Sequence, residues 1–345
     1  MLSDLLASPP WAALVLALGA AVILVAGSRL AAVADQLADR TGLGEAFVGA
    51  VFLGASTSLP GITASVTAAW HGHAALALSN ALGGIAVQTA FLAVADLAYR
   101  KANLEHAAAS LGNLVWGVLL ILLLAAILVA MAGPPLAIAG VHPVTPLLLA
   151  AYAMGLRLVS EAREQPMWRP RLTGATRLDR PQPDAAWGPG LPGLWLAFAA
   201  TAAVVMAAGW AVTRAGEGLA AHTGLSQSLV GALLVAVATS LPELVTSVAA
   251  VRRGALTLAV GGVLGGNAFD TLFAAIADVA YRPGSIYHAA TSREATLGAL
   301  TIAMAAVLVL GLLRRQRLGP GRIGLESVVV LALYLVGVLI LGGNA

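Results

Sequence analysis

Two carboxylates stand inside long apolar segments of this chain, where a charge is costly. Glu243 ends the run Ala-Val-Ala-Thr-Ser-Leu-Pro-Glu, and Asp270 ends the run Gly-Gly-Asn-Ala-Phe-Asp. A carboxylate in a lipid-embedded helix costs about 3 kcal/mol on insertion scales, so such residues tend to mark ion or proton sites. The turn between the two segments is expected near Arg252 and Arg253, which puts both acids roughly 15–23 Å from that membrane surface at about 1.5 Å per residue.

Pro242 brings further oxygen atoms to Glu243. Proline lacks an N–H and clashes with the preceding helical turn, so it loosens the backbone hydrogen bonds there. The hydroxyls of Thr239 and Ser240, a freed carbonyl and the Glu243 carboxylate then lie within one turn. Such hard oxygen donors suit Na⁺ or Ca²⁺. We therefore expect a cation site whose metal ligands are Glu243 and Asp270.

The same pattern occurs twice in the chain. Residues 41–100 align without a gap to residues 223–282, and roughly half of the aligned positions are identical. Thr-Ser-Leu-Pro stands at 57–60 and again at 239–242, so Pro60 and Pro242 are both predicted helix breaks. Such self-similarity indicates two related halves. Broken helices at a repeat interface are typical of secondary transporters.

The composition is that of an integral membrane protein. Of 345 residues, 59% are hydrophobic and 10% are charged, which excludes an ordinary soluble core. Without any cysteine, no disulfide or thiolate chemistry is expected. No nucleophile–base pair, metal-binding histidine motif or phosphate-binding loop is present, so we expect neither an enzyme nor a cofactor. The cationic partners are inorganic ions, and nucleic acid is not expected.

Hydropathy predicts an all-α protein with about ten membrane spans. The predicted spans are 11–33, 43–70, 74–99, 107–132, 143–160, 191–214, 225–252, 256–281, 293–313 and 324–342. Five spans per half is an odd number, so the second half should be inverted relative to the first. The predicted organisation is a first membrane half at 1–160, a cytoplasmic linker loop at 161–190 and a second half at 191–345.

The basic residues predict the orientation. With the N-terminus outside, all of the 19 Lys and Arg residues except Arg214, Arg282 and Arg293 fall on the inner side. This is the bias that orients membrane proteins. We expect both termini outside and the linker in the cytoplasm, with a bacterial inner membrane as the location.

These motifs resemble those of a known family. The segments 236–243 and 265–270 resemble the α-repeat signature of the sodium/calcium exchanger (cation/Ca²⁺ antiporter) superfamily, and 54–60 and 79–84 resemble its first repeat. The resemblance covers essentially the whole chain. It implies a sodium/calcium exchanger-like fold, alternating access, and ion sites between spans two, three, seven and eight. The transported ions would be Ca²⁺ with Na⁺ or H⁺.

The resemblance also implies a set of ion ligands. They are Glu243, Asp270, Thr239, Ser240, Thr57, Ser58, the carbonyls of Ala236 and Gly54, and the amides Gln88, Asn267 and Asn80. Four glycines are expected first at close-packing positions: Gly83, Gly84, Gly265 and Gly266.

The first repeat departs from the family pattern at its centre. Gly61 stands where the family has a glutamate, and Gln88 stands at an Asn/Asp-type ligand position. Loss of one charge in a desolvated site should change the preferred ion, the stoichiometry or the proton coupling. We expect Gly61 to leave room for water as a substitute ligand. Outside the site, Asp96 and Asp278 are expected to form local ion pairs with Arg100 and Arg282.

Three functions remain open from the sequence. The leading hypothesis is a cation antiporter that exchanges Ca²⁺ or a related cation for Na⁺. A close alternative is a cation/proton antiporter with Glu243 as the coupling acid. The third is a non-transporting regulatory membrane protein with a decayed first half-site, which Gly61 suggests and the retained Glu243 and Asp270 disfavour.

Overall fold

The computed structural model describes residues 8–41, 54–98, 102–164, 190–253, 256–316, 319 and 323–343. Within these ranges the regular structure is helical. The helices are α1 (Pro9–Val22), α2 (Ser28–Thr41), α3 (Leu59–Trp70), α4 (Ala74–Ala98), α5 (Leu104–Ala107), α6 (Leu111–Ala132), α7 (Val144–Glu164), α8 (Leu191–Thr223), α9 (Gln227–Leu229), α10 (Ala236–Thr239), α11 (Leu241–Arg253), α12 (Leu256–Ala280), α13 (Ser292–Arg314) and α14 (Leu325–Gly342). Two π-helical segments, Ile23–Gly27 and Val230–Val235, join α1 to α2 and α9 to α10.

The membrane spans follow the hydropathy pattern closely. Among the described residues, eight helices are long and apolar enough to cross a membrane, and a bent pair makes a ninth. The second predicted span, 43–70, is the one not found in this count, because it lies partly outside the described residues, which resume at residue 54. Most of the predicted linker, residues 165–189, lies outside them as well. The predicted all-α membrane architecture is confirmed.

Each Thr-Ser-Leu-Pro motif lies at a helix junction. Helix α3 begins at Leu59 and α11 begins at Leu241, so Pro60 and Pro242 occupy the first helical turn, where a missing N–H costs nothing. The chain bends by 49° between the stretch that ends at Thr239 and the helix that begins at Leu241. Each junction therefore interrupts a helix in the interior of the bundle.

Helices α4 and α12 form the centre of the molecule. They are the two most buried spans, and they pack against each other and against α3. Small residues allow this close packing: a Cβ on Gly83 would lie 2.5 Å from the Cα of Ala232. Two of the helices that carry predicted site residues, α4 and α12, are thus the spans most shielded from lipid among the described residues.

Asp278 has a different role from the one that the sequence predicted. Asp278 accepts hydrogen bonds from the N–H groups of His142 and Ile286 and from the Thr145 hydroxyl, and no ion pair with Arg282 is found. The Arg282 guanidinium instead lies 5.4 Å from the centre of the Trp70 ring. Arg100 lies outside the described residues. Asp278 is fully buried, so its carboxylate accepts from the buried N–H groups of two neighbouring segments and does not form the expected pair with Arg282.

Candidate functional site

Asp270, in the second half of the chain, receives hydrogen bonds from two residues of the first half. The Ser58 hydroxyl donates to its Oδ1 at 2.6 Å, and the Gln88 amide donates to its Oδ2 at 2.7 Å. Asp270 is only 1% exposed. Gln88 lies 182 positions before Asp270, so the two residues are equivalents in the repeat. The fold therefore brings the equivalent positions of the two halves into direct contact.

Glu243 lies in the first turn of α11, next to Asp270. The two carboxyl groups are close enough to interact electrostatically, and the Thr57 hydroxyl contacts the Glu243 carboxyl. The same hydroxyl lies 3.0 Å from the Gly54 carbonyl oxygen. Residues from both helix junctions and from α12 thus meet around two acids, as the sequence predicted for this set.

Three buried oxygen atoms in this region have no hydrogen-bond partner among the described residues. They are Oε2 of Glu243, Oε1 of Gln88 and Oδ1 of Asn267. Buried polar atoms are nearly always satisfied, so each unpaired oxygen in a native structure needs an explanation. Amide oxygens can only accept, and the natural partners for such a set are a cation, a proton or water.

The two helix junctions use the same hydrogen bonds. The Gly54 carbonyl accepts from the Ser58 N–H at 3.0 Å, and the Ala236 carbonyl accepts from the Ser240 N–H at 3.0 Å. The Thr239 hydroxyl lies 3.2 Å from the Ala236 carbonyl, and the Thr57 hydroxyl lies 3.0 Å from the Gly54 carbonyl. These carbonyls are within the site region, and their role as ion ligands stays a prediction.

The two asparagines differ in how their amides are used. Asn80 donates to the Gly61 carbonyl at 3.1 Å and to the Ser65 hydroxyl at 2.8 Å, and its oxygen accepts from Thr239 at 3.3 Å. Asn267 donates to the Thr89 hydroxyl at 3.0 Å, but its oxygen is unpaired. Asn80 therefore holds α3, α4 and the second junction together, while Asn267 retains a free acceptor.

The place of the missing glutamate is filled by an aromatic ring. A Cβ on Gly61 would lie 2.5 Å from Cε2 of Phe273, and Phe273 is 4% exposed. The sequence predicted that Gly61 leaves room for a water ligand, and this prediction is wrong. Phe273 stands three residues after Asp270, on the same face of α12, and this spacing is a signal that could have placed its ring near the acid, though not against Gly61.

Further aromatic residues that the sequence interpretation missed continue from Phe273. The ring of Phe269 lies 6.3 Å from that of Phe273 and 5.8 Å from that of Tyr152. The ring of Trp116 lies 6.2 Å from that of Tyr152. Tyr152 is close enough to Asp270 for the two side chains to interact electrostatically. This row forms an apolar wall on one side of the acids. A low-polarity wall strengthens the interaction of the carboxylates with any cation.

The glycine pairs of the repeat separate into two roles. Gly83 and Gly265 are packed tightly, against Ala232 and Trp116 respectively. A Cβ on Gly84 would meet only the Ser240 hydroxyl, at 3.6 Å, and one on Gly266 would meet only the Gln88 Oε1, at 3.9 Å. The first glycine of each pair allows helix packing, and the second faces the polar residues of the site.

The two acids lack a basic partner in the described part of the chain. No Lys, Arg or His side chain forms an ion pair with Glu243 or Asp270 there. The described residues also contain no group of three or more His, Cys, Asp and Glu side chains that could hold a metal ion. The candidate site thus consists of two carboxyls with hydroxyl and amide oxygens, and its countercharge must come from bound cations or protons.

The chain is similar in sequence to a known protein family and to individual bacterial proteins. The chain matches the family described as sodium/calcium exchanger protein over residues 11–156 and 192–343. It is 27% identical over 305 residues to CaxA of Alkalimonas amylolytica, whose name proposes an antiporter, covering 88% of this chain and 89% of CaxA. A 76-residue stretch is 37% identical to the inner membrane protein YrbG of Escherichia coli strain K12, covering 22% of this chain and 23% of YrbG.

Solved structures share the fold at low sequence identity. The H⁺/Ca²⁺ exchanger CAX matches with a TM-score of 0.65 at 15% identity, covering 95% of this chain and 82% of CAX. The sodium-calcium exchanger NCX_Mj matches with a TM-score of 0.55 at 19% identity, covering 93% of this chain and 95% of NCX_Mj. These similarities establish a common fold.

Proposed function

The chain belongs to the sodium/calcium exchanger protein family, and from this premise we propose that it exchanges cations across a membrane at Glu243 and Asp270. The cargo is Ca²⁺ or a related cation, and Na⁺ or H⁺ moves in the opposite direction. The observation that carries the proposal is a pair of acids without a basic partner among the described residues, with unpaired buried oxygens on Glu243 itself and on the amides Gln88 and Asn267. The names of CAX and NCX_Mj support both coupling ions.

The two acids differ in how many of their oxygens already accept hydrogen bonds from the protein. Both oxygens of Asp270 already accept hydrogen bonds, from Ser58 and Gln88, so Asp270 acts as a fixed negative charge. Glu243 Oε2 is unpaired and is the oxygen that meets the ion first. Because a ligand stabilises the conformation that binds it better, occupancy of this pair biases the inward-facing and outward-facing states.

Phe273 affects which ions fit. The ring takes the space at Gly61 where the family pattern has a second glutamate, so the negative charge is concentrated on the side of Glu243 and Asp270. Two carboxylates balance one Ca²⁺ or two Na⁺. We infer that each transport cycle carries one divalent ion against at most two monovalent ions, since additional buried cations would lack countercharge.

The test is ⁴⁵Ca²⁺ uptake into proteoliposomes that contain the purified protein, driven by an outward Na⁺ gradient and, separately, by an outward proton gradient. We expect uptake under at least one gradient. Glu243→Gln removes the charge and keeps the shape, so uptake should fall at least about 100-fold, because roughly 3 kcal/mol of stabilisation of the bound cation is lost.

Matched controls separate the site from the scaffold. Glu161→Gln changes an exposed carboxyl at the end of α7 and should leave uptake unchanged. Uptake driven by Na⁺ alone selects Na⁺ as the coupling ion, and uptake driven only by the proton gradient selects H⁺. Wild-type flux in a folded Glu243→Gln variant, or no flux of any divalent cation in the wild type, would contradict the proposal.

A further inference from the structure

The second half of the chain ends α12 with a fully satisfied hydrogen-bond cluster. Asp278 Oδ2 accepts from the Thr145 hydroxyl at 2.7 Å and the His142 N–H at 2.8 Å, and its Oδ1 accepts from the Ile286 N–H at 2.9 Å. The Tyr287 hydroxyl lies 3.2 Å from the Thr145 oxygen. A hydroxyl has one proton, and Thr145 donates its proton to Asp278. Tyr287 is therefore the donor to Thr145.

A cluster with the same hydrogen bonds lies at the end of α4, the helix of the first half that is equivalent to α12. Asp96 Oδ2 accepts from the Ser327 hydroxyl at 3.1 Å and the Gly324 N–H at 2.9 Å, and its Oδ1 accepts from the Leu104 N–H at 2.6 Å. Each of these residues lies 182 positions from its counterpart in the other cluster. Glu105 occupies the place of Tyr287, with its Oε1 3.0 Å from Ser327 Oγ. The pseudo-symmetry thus exchanges a phenol for a carboxyl.

With a carboxyl in place of the tyrosine hydroxyl, the first cluster has one hydrogen-bond donor fewer than the second when Glu105 is ionised. The single proton of Ser327 cannot serve both Asp96 and an ionised Glu105. Glu105 is 4% exposed, and its Oε2 has no hydrogen-bond partner among the described residues. A protonated Glu105 would donate to Ser327, which would then donate to Asp96. That arrangement reproduces the donor chain from Tyr287 through Thr145 to Asp278.

The surrounding charges also favour a protonated Glu105. Asp96 and Glu326 are the acidic neighbours, and the Glu326 and Glu105 stems both pack against Gly311. The Arg314 guanidinium lies 3.5 Å from the Glu326 carboxylate, so the positive charge of Arg314 is paired with Glu326. Burial, reinforced by the charges of Asp96 and Glu326, raises the pKa of Glu105 to about 7.

Two further ionisable groups lie on the elements packed against this cluster, and they engage each other. His106 Nδ1 lies 2.6 Å from the Arg315 carbonyl, and the Arg315 guanidinium donates to the His106 carbonyl at 3.3 Å. These bonds tie α5 to the end of α13. The second half again has an equivalent, since His288 lies 3.2 Å from the Gly133 carbonyl.

We propose that Glu105 is a proton-binding site, in which the protonated carboxyl donates to Ser327 as Tyr287 donates to Thr145. A proton is the ligand rather than a metal ion, because the carboxyls here do not form a metal-holding group among the described residues. The site has no equivalent in the second half, where Tyr287 carries a permanent hydroxyl donor. Of these two clusters, only the one at Asp96 therefore binds this proton.

The proton site is connected to the candidate ion site by one helix. Asp96 follows Gln88 by eight residues on α4, which is about 12 Å along the axis. Loss of the proton from Glu105 weakens the hydrogen bonds that fix the end of this helix, and Gln88 holds Asp270 further along it. The effect on cation exchange rests on the proposed function, whereas proton binding itself does not.

The test is the melting temperature of the purified, detergent-solubilised protein as a function of pH. The folded pKa of Glu105, about 7, lies above the ordinary value of 4.5, so the folded state binds more protons than the unfolded state in this window. This contribution to stability is full below about pH 4.5 and is lost as pH rises through about 7. The wild-type melting temperature should therefore fall over this range. The slope should correspond to about one proton that the folded chain binds and the unfolded chain does not.

Two variants imitate the protonated form, and one serves as a control. Glu105→Gln keeps a donor and Glu105→Tyr copies the second half, so both should lack this fall in melting temperature. Tyr287→Phe removes a hydroxyl that does not titrate here and should retain the fall. The same pH dependence in the wild type and both Glu105 variants would overturn the proposal.

Infrared difference spectra give a second readout that does not need transport. Between about pH 6 and about pH 8, the wild type should lose a carboxylic acid carbonyl band that is absent from Glu105→Gln. Glu326→Val copies Val144 of the second half and removes one repelling charge, so the band should titrate at lower pH. A wild type without such a band in this range overturns the assignment, even if the protein exchanges cations.

Discussion

At the scale of single residues, the difference between Gly61 and Glu243 shapes the candidate site. The two positions are equivalent in the repeat, yet one carries a carboxylate and the other has no side chain. Phe273 fills the space that a side chain at 61 would need. The site is therefore charged on one side and aromatic on the other. Restoring a glutamate at 61 would require the ring to move first.

Gly61→Ala tests this packing. The added methyl group would meet Phe273 Cε2 at 2.5 Å, and overpacking of this kind costs about 1–3 kcal/mol. The free energy of unfolding, measured by denaturant titration in detergent, should fall by that amount. Gly61→Ala combined with Phe273→Leu should recover part of the loss, because the two changes are coupled through one contact.

Gly262→Ala is the matched control for this prediction. It lies in α12, and a Cβ there would meet no atom within 4 Å. The free energy of unfolding should stay equal or rise by up to about 1 kcal/mol, as expected for glycine to alanine in a helix. Equal stability losses for the two variants would show that the Phe273 contact is not the cause.

At the scale of helices, α4 and α12 combine two tasks in neighbouring residues. Each carries a glycine pair in which the first member allows close packing and the second faces polar atoms. Each also carries a residue of the central contact, Gln88 on α4 and Asp270 on α12. Because packing and polar contacts lie on adjacent faces of the same helix, a shift of either helix would change the site.

Gly83→Ala and Gly84→Ala should separate the two tasks. A methyl group at 83 would lie 2.5 Å from backbone Cα of Ala232, which cannot move alone, so stability should fall by about 1–3 kcal/mol. A methyl group at 84 would lie 3.6 Å from Ser240 Oγ, an ordinary contact. We expect Gly84→Ala to keep the wild-type melting temperature and to lower cation uptake about 10-fold or more, because it places apolar bulk beside the ligands.

Similar melting temperatures for Gly83→Ala and the wild type would contradict the close approach of α4 to the π-helical segment Val230–Val235. Unchanged uptake by Gly84→Ala would place the ion path elsewhere. Measuring both properties on both variants keeps the two conclusions independent.

At the scale of the molecule, the repeat extends beyond the segments that align best in sequence. The clusters at Asp96 and Asp278 use the same hydrogen bonds, and they reach Gly324 and Ser327 in one half and His142 and Thr145 in the other. Each cluster joins the third helix of one half to the start of the fifth helix of the other half. This supports the proposed division into two membrane halves with equivalent architecture.

Asp278→Ala should be strongly destabilising for this reason. The change removes the acceptor of three hydrogen bonds, and unsatisfied buried donors cost about 1–3 kcal/mol each. We expect a loss of at least about 3 kcal/mol in the free energy of unfolding. Asp278→Asn keeps one acceptor oxygen and should lose less. A neutral Asp278→Ala would argue against a structural role for this cluster.

The sequence by itself determined the class, the repeat and the presence of the acids. Long apolar segments require membrane helices, proline removes a backbone donor wherever it stands, and a repeat must bring equivalent positions into equivalent places. These are local or statistical properties of the chain. Glu243, Asp270 and the Thr-Ser motifs were found in this way, and the fold brings them into one region.

Only the tertiary structure decided which neighbours these residues have. The Gln88 amide donates to Asp270, Phe273 fills the space at Gly61, and Asp278 binds backbone donors instead of Arg282. Such contacts join residues far apart in the chain. They depend on which side chain best fills a given volume and satisfies a given donor once the helices are packed, and no local property of a sequence contains that information.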